Sequence, residues 1–407
     1  MIIMHTTCHR EFGGLEKRIY NESCKMSEHG HQIIIAAPKN TPLMTKCIQK
    51  GFKCFPIEFT LKSTLKDYRA LKQLYRKLQP DVLNTHGNTD SKIALAAAWS
   101  INIPCTILSR HISADVSPSF YNKLLYNQLC RYVFTTADYT TKHLISNLDV
   151  IPEKIFTIPS GIIPPEYLPD RDLARVNLTA ELNINSNSRF IGFVGRVSED
   201  KGVPCIIKAF LSIKDASAKY LSSKDSLHKD LSIKDLLNND SLSKDLLDKD
   251  LSNIEKISDY HLVIVGDGDK VFIDQLKKMV DQTKYKNFIH FTGFQENTWS
   301  YYRAFDCNLL ASTEVEGISQ SLLEAMYARC PVAGSRIGGT GDIIKHGETG
   351  LLFMPGKSEE IAKCILQILT NKTDTDKRVE LAFKMVNNRY TIDSMMDQIL
   401  NIYYTQL

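Results

Sequence analysis

The residues best placed to do chemistry lie late in the chain. Glu316-Gly-Ile-Ser-Gln-Ser-Leu-Leu-Glu324 sets two acids eight positions apart. The first falls in a loop after the apolar run Cys307–Leu310, and the second sits within the helix that should follow. Backbone amides at Gly317, Ile318, Ser319 and Gln320 would stand at that helix's N-terminus. Unpaired N–H groups and the helix dipole favour an anionic phosphate there. Glu316 is placed to meet sugar hydroxyls from the loop, and Glu324 to accept from ribose hydroxyls. Taken alone, the same two acids read equally well as decoration of a helix surface.

A second set lies earlier. Phe190-Ile-Gly-Phe-Val-Gly195-Arg196 ends an apolar run, and Lys201-Gly202 follows five residues after the arginine, so two cations stand beyond a strand's carboxyl end. Cations there suit a diphosphate, although a surface Arg and Lys at a helix start would have this spacing too. Gly13-Gly14 follows the first apolar run, and glycine lets a backbone approach a phosphate or sugar closely. A tight turn explains that pair as well.

Positioning such groups takes parallel sheets. Short β-branched runs alternate with helical stretches, which is the pattern of α/β layers. Strands are expected at Gln32–Ala37, Val82–Thr85, Cys105–Ser109, Tyr132–Thr136 and Ile155–Ile158, with helices at Leu15–His29, Leu65–Leu78, Asp90–Ile101 and Tyr121–Arg131 between them. A second series opens at Phe190–Val194 and runs through His261–Val265, Ile289–Thr292, Cys307–Leu310, Pro331–Ala333 and Gly350–Phe353. The expected fold is therefore two doubly wound, Rossmann-like sheets facing across a cleft, with ligands bound outside the strands' carboxyl ends. Prolines and a glycine crowd Ile158–Pro169, and the domain junction is placed just after them, near residue 185. This gives domains of 1–185 and 186–389, with 390–407 a helix returning to the first domain.

One segment breaks the pattern. From about Ile213 to Ser258 the chain repeats loose five-residue units, with aspartates at 225, 230, 235, 240, 245 and 250. A period of five turns about 140° per repeat on an α-helix, so the leucines spiral instead of forming a stripe. The segment reads as a solvated or partly helical insertion after a helix at Val203–Leu211.

These motifs occur together in an order that resembles the retaining GT-B glycosyltransferases of glycosyltransferase family 4. The resemblance rests on GGLE at Gly13–Glu16, IPSGI at Ile158–Ile162, VGR at Val194–Arg196 and DKG at Asp200–Gly202. It continues through VGDG at Val265–Gly268, FTGF at Phe291–Phe294, EGISQSLLEAM at Glu316–Met326, PVAGS at Pro331–Ser335, GGTGD at Gly338–Asp342 and GETGLLFMPG at Gly347–Gly356. It spans the chain except for the repeat segment. Within the family, Asn84–Ser91 and Ser109–Ser113 resemble the lipopolysaccharide core mannosyltransferases.

The resemblance implies that Arg196 and Lys201 hold the donor diphosphate, that Glu324 holds the ribose, and that Glu316 with the amides of Gly317–Gln320 holds the sugar and phosphates. It further implies that Gly13 and Gly14 abut the diphosphate, that Gly293 and Phe294 line the base, and that His111 contacts the donor sugar near the reacting carbon. His86 is expected on the acceptor side, or else as a strand-end structural histidine. Breaking the anomeric C–O bond makes an oxocarbenium-like sugar and a more negative diphosphate, which fixed cations and amides stabilise. In such retaining enzymes the acceptor attacks on the leaving group's own face and its proton passes to the departing phosphate, so His111, Glu316, Arg196 and Lys201 orient and polarise. Three positions depart from the family pattern: Ser319 where glycine or proline is usual, Asp342 where glutamate is common, and Ser160 where asparagine is common. The chain also begins almost inside its first strand, which raises the question of a short or mis-assigned start.

Asp267-Gly-Asp269 spells the D-x-D that binds a divalent metal in another glycosyltransferase class. No metal or other cofactor is expected here, because Arg196 and Lys201 already supply the neutralising charge. The expected reaction moves a hexose, mannose first, from a GDP- or UDP-linked donor to a glycolipid or glycan. The alternatives are a UDP-dependent glucosyl- or N-acetylhexosaminyl-transferase and a non-catalytic sugar-nucleotide-binding scaffold.

Composition bounds the rest. Lys plus Arg at 50 against Asp plus Glu at 46 leaves +4, far from the footprint of a nucleic-acid binder. Ten scattered cysteines without a C-x-x-C pair suit a reduced, cytoplasmic protein. The start lacks the pattern of a secretory signal, and no apolar run approaches a membrane span. Between Leu61 and Leu78, Lys62, Lys66, Arg69, Lys72 and Arg76 recur beside leucines. Such a helix would draw the protein to an anionic membrane surface, or simply pack its leucines on the sheet.

Overall fold

The computed structural model describes residues 1–111, 115–225, 256–314 and 317–406. The chain divides into two units, Met1–Ile163 with Arg389–Leu407, and Pro164–Asn388.

The first unit is a seven-stranded parallel sheet. Its strands are β1 (Ile2–Thr6), β2 (Gln32–Ala37), β3 (Lys53–Pro56), β4 (Val82–Thr85), β5 (Cys105–Arg110), β6 (Tyr132–Thr135) and β7 (Ile155–Thr157), in the order β3-β2-β1-β4-β5-β6-β7. Strand order reverses between β1 and β4, and the crevice at such a reversal is where open α/β sheets bind ligands. Alternate residues of β1 feed opposite cores: Ile3 packs with Ile19, Ile35 and Tyr403, while Met4 packs with Leu71, Tyr75 and Leu83. The C-terminal helix Ile392–Gln406 belongs to this unit, with Met395, Met396, Ile399 and Tyr403 buried.

The second unit is a six-stranded parallel sheet, ordered β10-β9-β8-β11-β12-β13. Its strands are β8 (Arg189–Val194), β9 (Tyr260–Val265), β10 (Ile289–Gly293), β11 (Cys307–Leu310), β12 (Val332–Ser335) and β13 (Leu351–Phe353). Here the reversal lies between β8 and β11.

Four expectations need correction. The junction falls at Ile163, not near residue 185, because the helix Arg171–Glu181 is tied to the second unit. Arg171 and Arg175 both bond Asp306, Tyr301 donates to Glu181, and Arg303 donates to the Pro169 carbonyl. The predicted helix Tyr121–Arg131 is a short α-helix, Phe120–Leu124, followed by a π-helical turn at Leu125–Leu129. The strand Lys53–Pro56 and the helix Pro42–Gln49 escaped the sequence reading.

The fourth correction concerns the repeat segment. The helix expected at Val203–Leu211 runs to Asp225. Val203, Ile206, Ile207, Phe210, Ile213, Lys214 and Ser217 form one buried stripe, so helical periodicity continues past Ile213 into the first repeat units. Lys214 donates to the carbonyls of Ser258 and Tyr260 and lies 3.5 Å from the Phe288 ring centre. Burial lowers its pKa to about 8. Residues 226–255, which carry most of the pentads, lie outside the described residues.

The basic helix is observed at Thr64–Leu78. Leu71 and Tyr75 are buried and Leu74 and Leu78 pack partly against the same core, whereas Leu61 and Leu65 are 90% and 61% exposed. No helix among the described residues is long and apolar enough to cross a membrane.

Candidate functional site

The loops beyond the carboxyl ends of β8 and β9 are laced together by backbone. Gly195 N–H donates to the Val265 carbonyl, and Val197 N–H to that of Asp267. A Cβ on Gly266 would stand 1.8 Å from the Gly195 oxygen, and one on Gly268 would stand 1.9 Å from that of Val197. Glycine is therefore required at both positions by close approach.

That lacing carries Arg196 and Lys201. Asp200 sits between them, 3.3 Å from the Arg196 guanidinium and 3.8 Å from the Lys201 ammonium. Burial alone would raise the Asp200 carboxyl, but the Ser198 hydroxyl, Lys201 and Arg196 together hold it below its ordinary range. Burial lowers the Lys201 pKa against the pull of Asp200. The Arg196 side chain is 67% exposed and open to an incoming anion. Gly202, at φ +66°, closes the turn with its would-be Cβ 2.0 Å from the Ala311 carbonyl.

The same turn is fastened to the next loop, since Thr313 N–H donates to the Asp200 carbonyl at 2.8 Å. That loop leads to the helix Gln320–Tyr327, with Ser319 as its N-cap. Ser319 makes no side-chain cap bond and instead lies 3.1 Å from the Ser321 hydroxyl. Gly339 presses on the Gly317–Ile318 peptide so closely that a Cβ would meet the Gly317 carbonyl carbon at 2.8 Å. Glu324 is half-buried and restrained by the Tyr302 hydroxyl at 3.2 Å and the Thr298 hydroxyl at 3.4 Å. Tyr302 is itself fully buried, and burial together with Glu324 raises its pKa. Glu316 lies outside the described residues.

Gly293, at φ +71°, has open space where a side chain would stand, and Phe294 beside it is 70% exposed. In the D-x-D sequence, Asp269 caps the helix Lys270–Asp281 by accepting from Phe272 N–H at 2.9 Å, while Asp267 accepts from its neighbour Gly268. Among the described residues no group of His, Cys, Asp or Glu is arranged to hold a metal ion.

In the first unit, Gly13 and Gly14 open the helix Gly14–Glu28. The Gly13 N–H is already taken by Glu16 at 2.8 Å, so it is not available to a phosphate, whereas Gly14 borders open space. Arg18, buried beside Glu22, donates to the Ser160 hydroxyl at 2.7 Å and to the Ile158 carbonyl. The serine found where the family pattern has asparagine thus serves as an acceptor for a buried cation.

His86 and His111 are brought together at the β1/β4/β5 end, and a third histidine that sequence reading missed joins them. His5 Nδ1 lies 2.9 Å from His86 Nε2, and His86 Nδ1 lies 2.8 Å from His111 Nε2. The rings stack at 5.2 and 5.1 Å between centres. Burial lowers all three pKa values, that of His5 to about 3, with His111, His5, Arg18 and His9 adding to the effect at His86. Both His86 ring nitrogens are committed, so the ring offers neither to an acceptor substrate. His111 borders a cavity of about 150 Å³ lined also by His9, Asn88, Arg110 and Tyr126.

Asp90 frames this end. It accepts from the Thr6 hydroxyl and from the backbone N–H groups of Cys8, His86 and Gly87. Its only advance signal was an acid three residues past Gly87 at a helix start.

Comparison with known proteins agrees with this architecture. Residues 12–164 match the family model Glycosyltransferase Family 4, and residues 244–388 match Glycosyl transferases group 1. The chain is 30% identical over 37% of its length to N-acetyl-alpha-D-glucosaminyl L-malate synthase of Bacillus anthracis, covering 38% of that protein. It is 23% identical over 37% of its length to the lipopolysaccharide core biosynthesis glycosyltransferase LpsE of Rhizobium meliloti, covering 43% of it. Among the first curated relatives the matched region spans only 30% to 59% of their length. The fold matches Anabaena Alr3699/HepE, solved with UDP, at TM-score 0.74 and 17% identity over the whole of both chains. Two parallel-sheet units of this kind define the GT-B class.

Proposed function

We propose that this chain is a glycosyltransferase that moves a hexose from a nucleoside diphosphate sugar to a glycolipid or glycan, with retention at the anomeric carbon. One observation carries the reading. The loop bearing Arg196 and Lys201 is fastened through Asp200 and Gly202 to the loop that enters the helix of Glu324. A diphosphate needs cations and a ribose needs a fixed acceptor, and this fastening ties both loops together at the carboxyl end of one sheet.

In the proposed reaction the bond between the anomeric carbon and the diphosphate oxygen breaks as the acceptor oxygen bonds to the same carbon. The acceptor's proton passes to the departing phosphate. Arg196, Lys201 and the amides of Gly317–Gln320 stabilise the charge that accumulates there, and Glu324 holds the ribose. Lys201, partly withdrawn from water, interacts with that charge more strongly than a fully solvated ammonium would. No metal is required in this scheme, because the cations are built in.

For the donor base we favour uridine. The matched relatives include an N-acetylglucosaminyl-transferring synthase, and HepE was solved with UDP and with UDP-glucose. GDP-mannose, the expectation drawn from Asn84–Ser91 and Ser109–Ser113, is the competing donor. Resemblance to LpsE supports a lipopolysaccharide-like acceptor. Exposed Leu61 and Leu65 beside Lys62, Lys66 and Arg69 would hold the enzyme at the anionic membrane carrying it.

The test is thermal stabilisation of the protein by UDP, GDP, ADP, UDP-glucose, UDP-N-acetylglucosamine and GDP-mannose in EDTA, with Arg196→Ala and Glu324→Gln alongside. A shift by one nucleotide that both variants weaken supports the reading and fixes the base. No shift by any of them refutes it.

A further inference from the structure

The second unit has a cavity at the end of its sheet opposite the Arg196 loop. It measures about 580 Å³ and lies where the amino ends of β8 and β9 meet the helices Arg171–Glu181, Ser358–Thr370 and Lys372–Arg389. Arg189 opens β8 and Val194 closes it. About 17 Å of strand therefore separates the cavity from the loop of Arg196. Sites for small molecules commonly have this volume.

The charges around one carboxylate in this cavity are unbalanced. The Nη2 atoms of Arg171 and Arg175 both donate to Asp306, and each arginine also donates to a backbone carbonyl, that of Phe305 or Ala304. Their Nη1 atoms bond to no described residue and are not enclosed by protein. Arg189 is exposed and its side chain forms no hydrogen bond or ion pair with a described residue, and the same holds for Lys372. The Tyr260 hydroxyl likewise has no described partner and keeps contact with solvent. Burial lowers the pKa of Arg175; Asp306 opposes this, while Arg171 and Arg189 add to it as like charges. Asp259 and Asp376 also line the cavity, but both are exposed and neither is among the groups that act most on Arg175 or Tyr260. Three guanidinium groups thus surround a single carboxylate, which leaves two positive charges unmatched.

We infer that this cavity is a second anion site, which takes a dianionic phosphate, either free or as a monoester on a small polar molecule. A dianion matches the two unmatched charges, and its oxygens can accept from the Nη1 groups, from Arg189 and from the Tyr260 hydroxyl. Pro331, Ile368 and Leu369 give the rest of an ester an apolar wall. The site shares no residue with the loops of Arg196 and Glu324, so it stands or falls apart from the proposed reaction.

Calorimetric titration with inorganic phosphate, ribose 5-phosphate and acetate, at pH 8 and fixed ionic strength, tests the inference. Arg196→Ala protein is used throughout, so that the donor loops contribute little. One equivalent of inorganic phosphate or ribose 5-phosphate should bind saturably. Tighter binding of the ester identifies an organic phosphate as the ligand, and equal binding identifies free phosphate. Arg189→Gln should weaken binding at least tenfold, the scale of one charge-assisted hydrogen bond, and Lys372→Gln should weaken it as well. Neither side chain bonds to the protein, so both variants should melt with their parent. Absence of saturable binding, binding unchanged by both substitutions, or acetate binding as tightly as phosphate would each overturn the proposal.

Discussion

Gly202→Ala tests whether the fastening between the two loops is as tight as described. At φ +66° an L-residue costs about 1–2 kcal/mol. The new Cβ would also stand 2.0 Å from the Ala311 carbonyl oxygen, well inside the ~3.5 Å of van der Waals contact. Both partners are backbone, so relief means lifting the turn from the loop after β11. That breaks the Thr313-to-Asp200 bond, at about 1 kcal/mol. The sum is about 3 kcal/mol, or roughly 6–12 °C in the melting of a unit of this size. Gly347→Ala is the control, because Gly347 has φ +83° with open space around it and carries only the backbone cost. Calorimetry of both variants, followed by nucleotide titration, checks the argument. Gly202→Ala should melt several degrees below Gly347→Ala and bind nucleotide at least tenfold more weakly than wild type. Equal melting temperatures, with nucleotide affinity retained in both, would refute the claim that this glycine positions the cations.

Arg196→Ala, at a largely exposed side chain, should leave the melting temperature within about 1 °C while lowering kcat/KM for the donor roughly a hundredfold. Glu324→Gln keeps an acceptor for Tyr302 and should weaken nucleotide binding about tenfold, while Glu324→Ala should in addition lose about 1 kcal/mol of stability by removing the acceptor of the buried Tyr302 hydroxyl, which keeps Thr298 as a partner. His5, depressed to about 3, stays neutral when folded while the unfolded chain takes up a proton near 6.5. Its contribution is therefore present above pH 6.5 and is lost at about 1.4 kcal/mol per pH unit as pH falls from there towards 3. His86 and His111 are lowered in the same way, so urea melts at pH 7, 6, 5 and 4 should show at least this slope, and His5→Phe should reduce it by about 1.4 kcal/mol per pH unit. Vesicle sedimentation should show binding to anionic but not neutral bilayers, with Leu65→Ser and Lys66→Glu each reducing it.

Much of the fold could be read from the chain because a parallel sheet buried on both faces writes its strands as near-continuous apolar runs. Cys105 to Leu108 and Leu262 to Val265 are examples. The short edge strand Lys53–Pro56 was not legible, since its residues are only partly buried and carry no such run. The junction was misplaced because prolines report where the chain turns and not which body the following helix joins. That choice is made by Arg171 and Arg175 finding Asp306, a partner more than 130 residues away. The cations, the glycines of close approach and Glu324 were visible as local motifs. His5 and Asp90 were not, because the histidine row draws one ring from each of three strand ends and becomes a unit only when β1, β4 and β5 lie side by side.

Lys214 has a consequence for how this chain can change over generations. It stands at the start of the repeat segment and bonds to the carbonyls of Ser258, at the segment's end, and Tyr260, just beyond it, so the two ends of the segment are clasped beside the strand Tyr260–Val265. Tandem repeats are gained and lost readily by slippage during copying. Because the clasp is made of residues outside 226–255, a pentad added or removed between the two anchors leaves the sequence of the clasp itself unchanged. The buried stripe ending at Ser217 and the strand beginning at Tyr260 keep their places, as do the loops that carry Arg196 and Glu324. Variants with one pentad more or fewer are thus expected to keep the Lys214 clasp, and melting curves of such variants would check this.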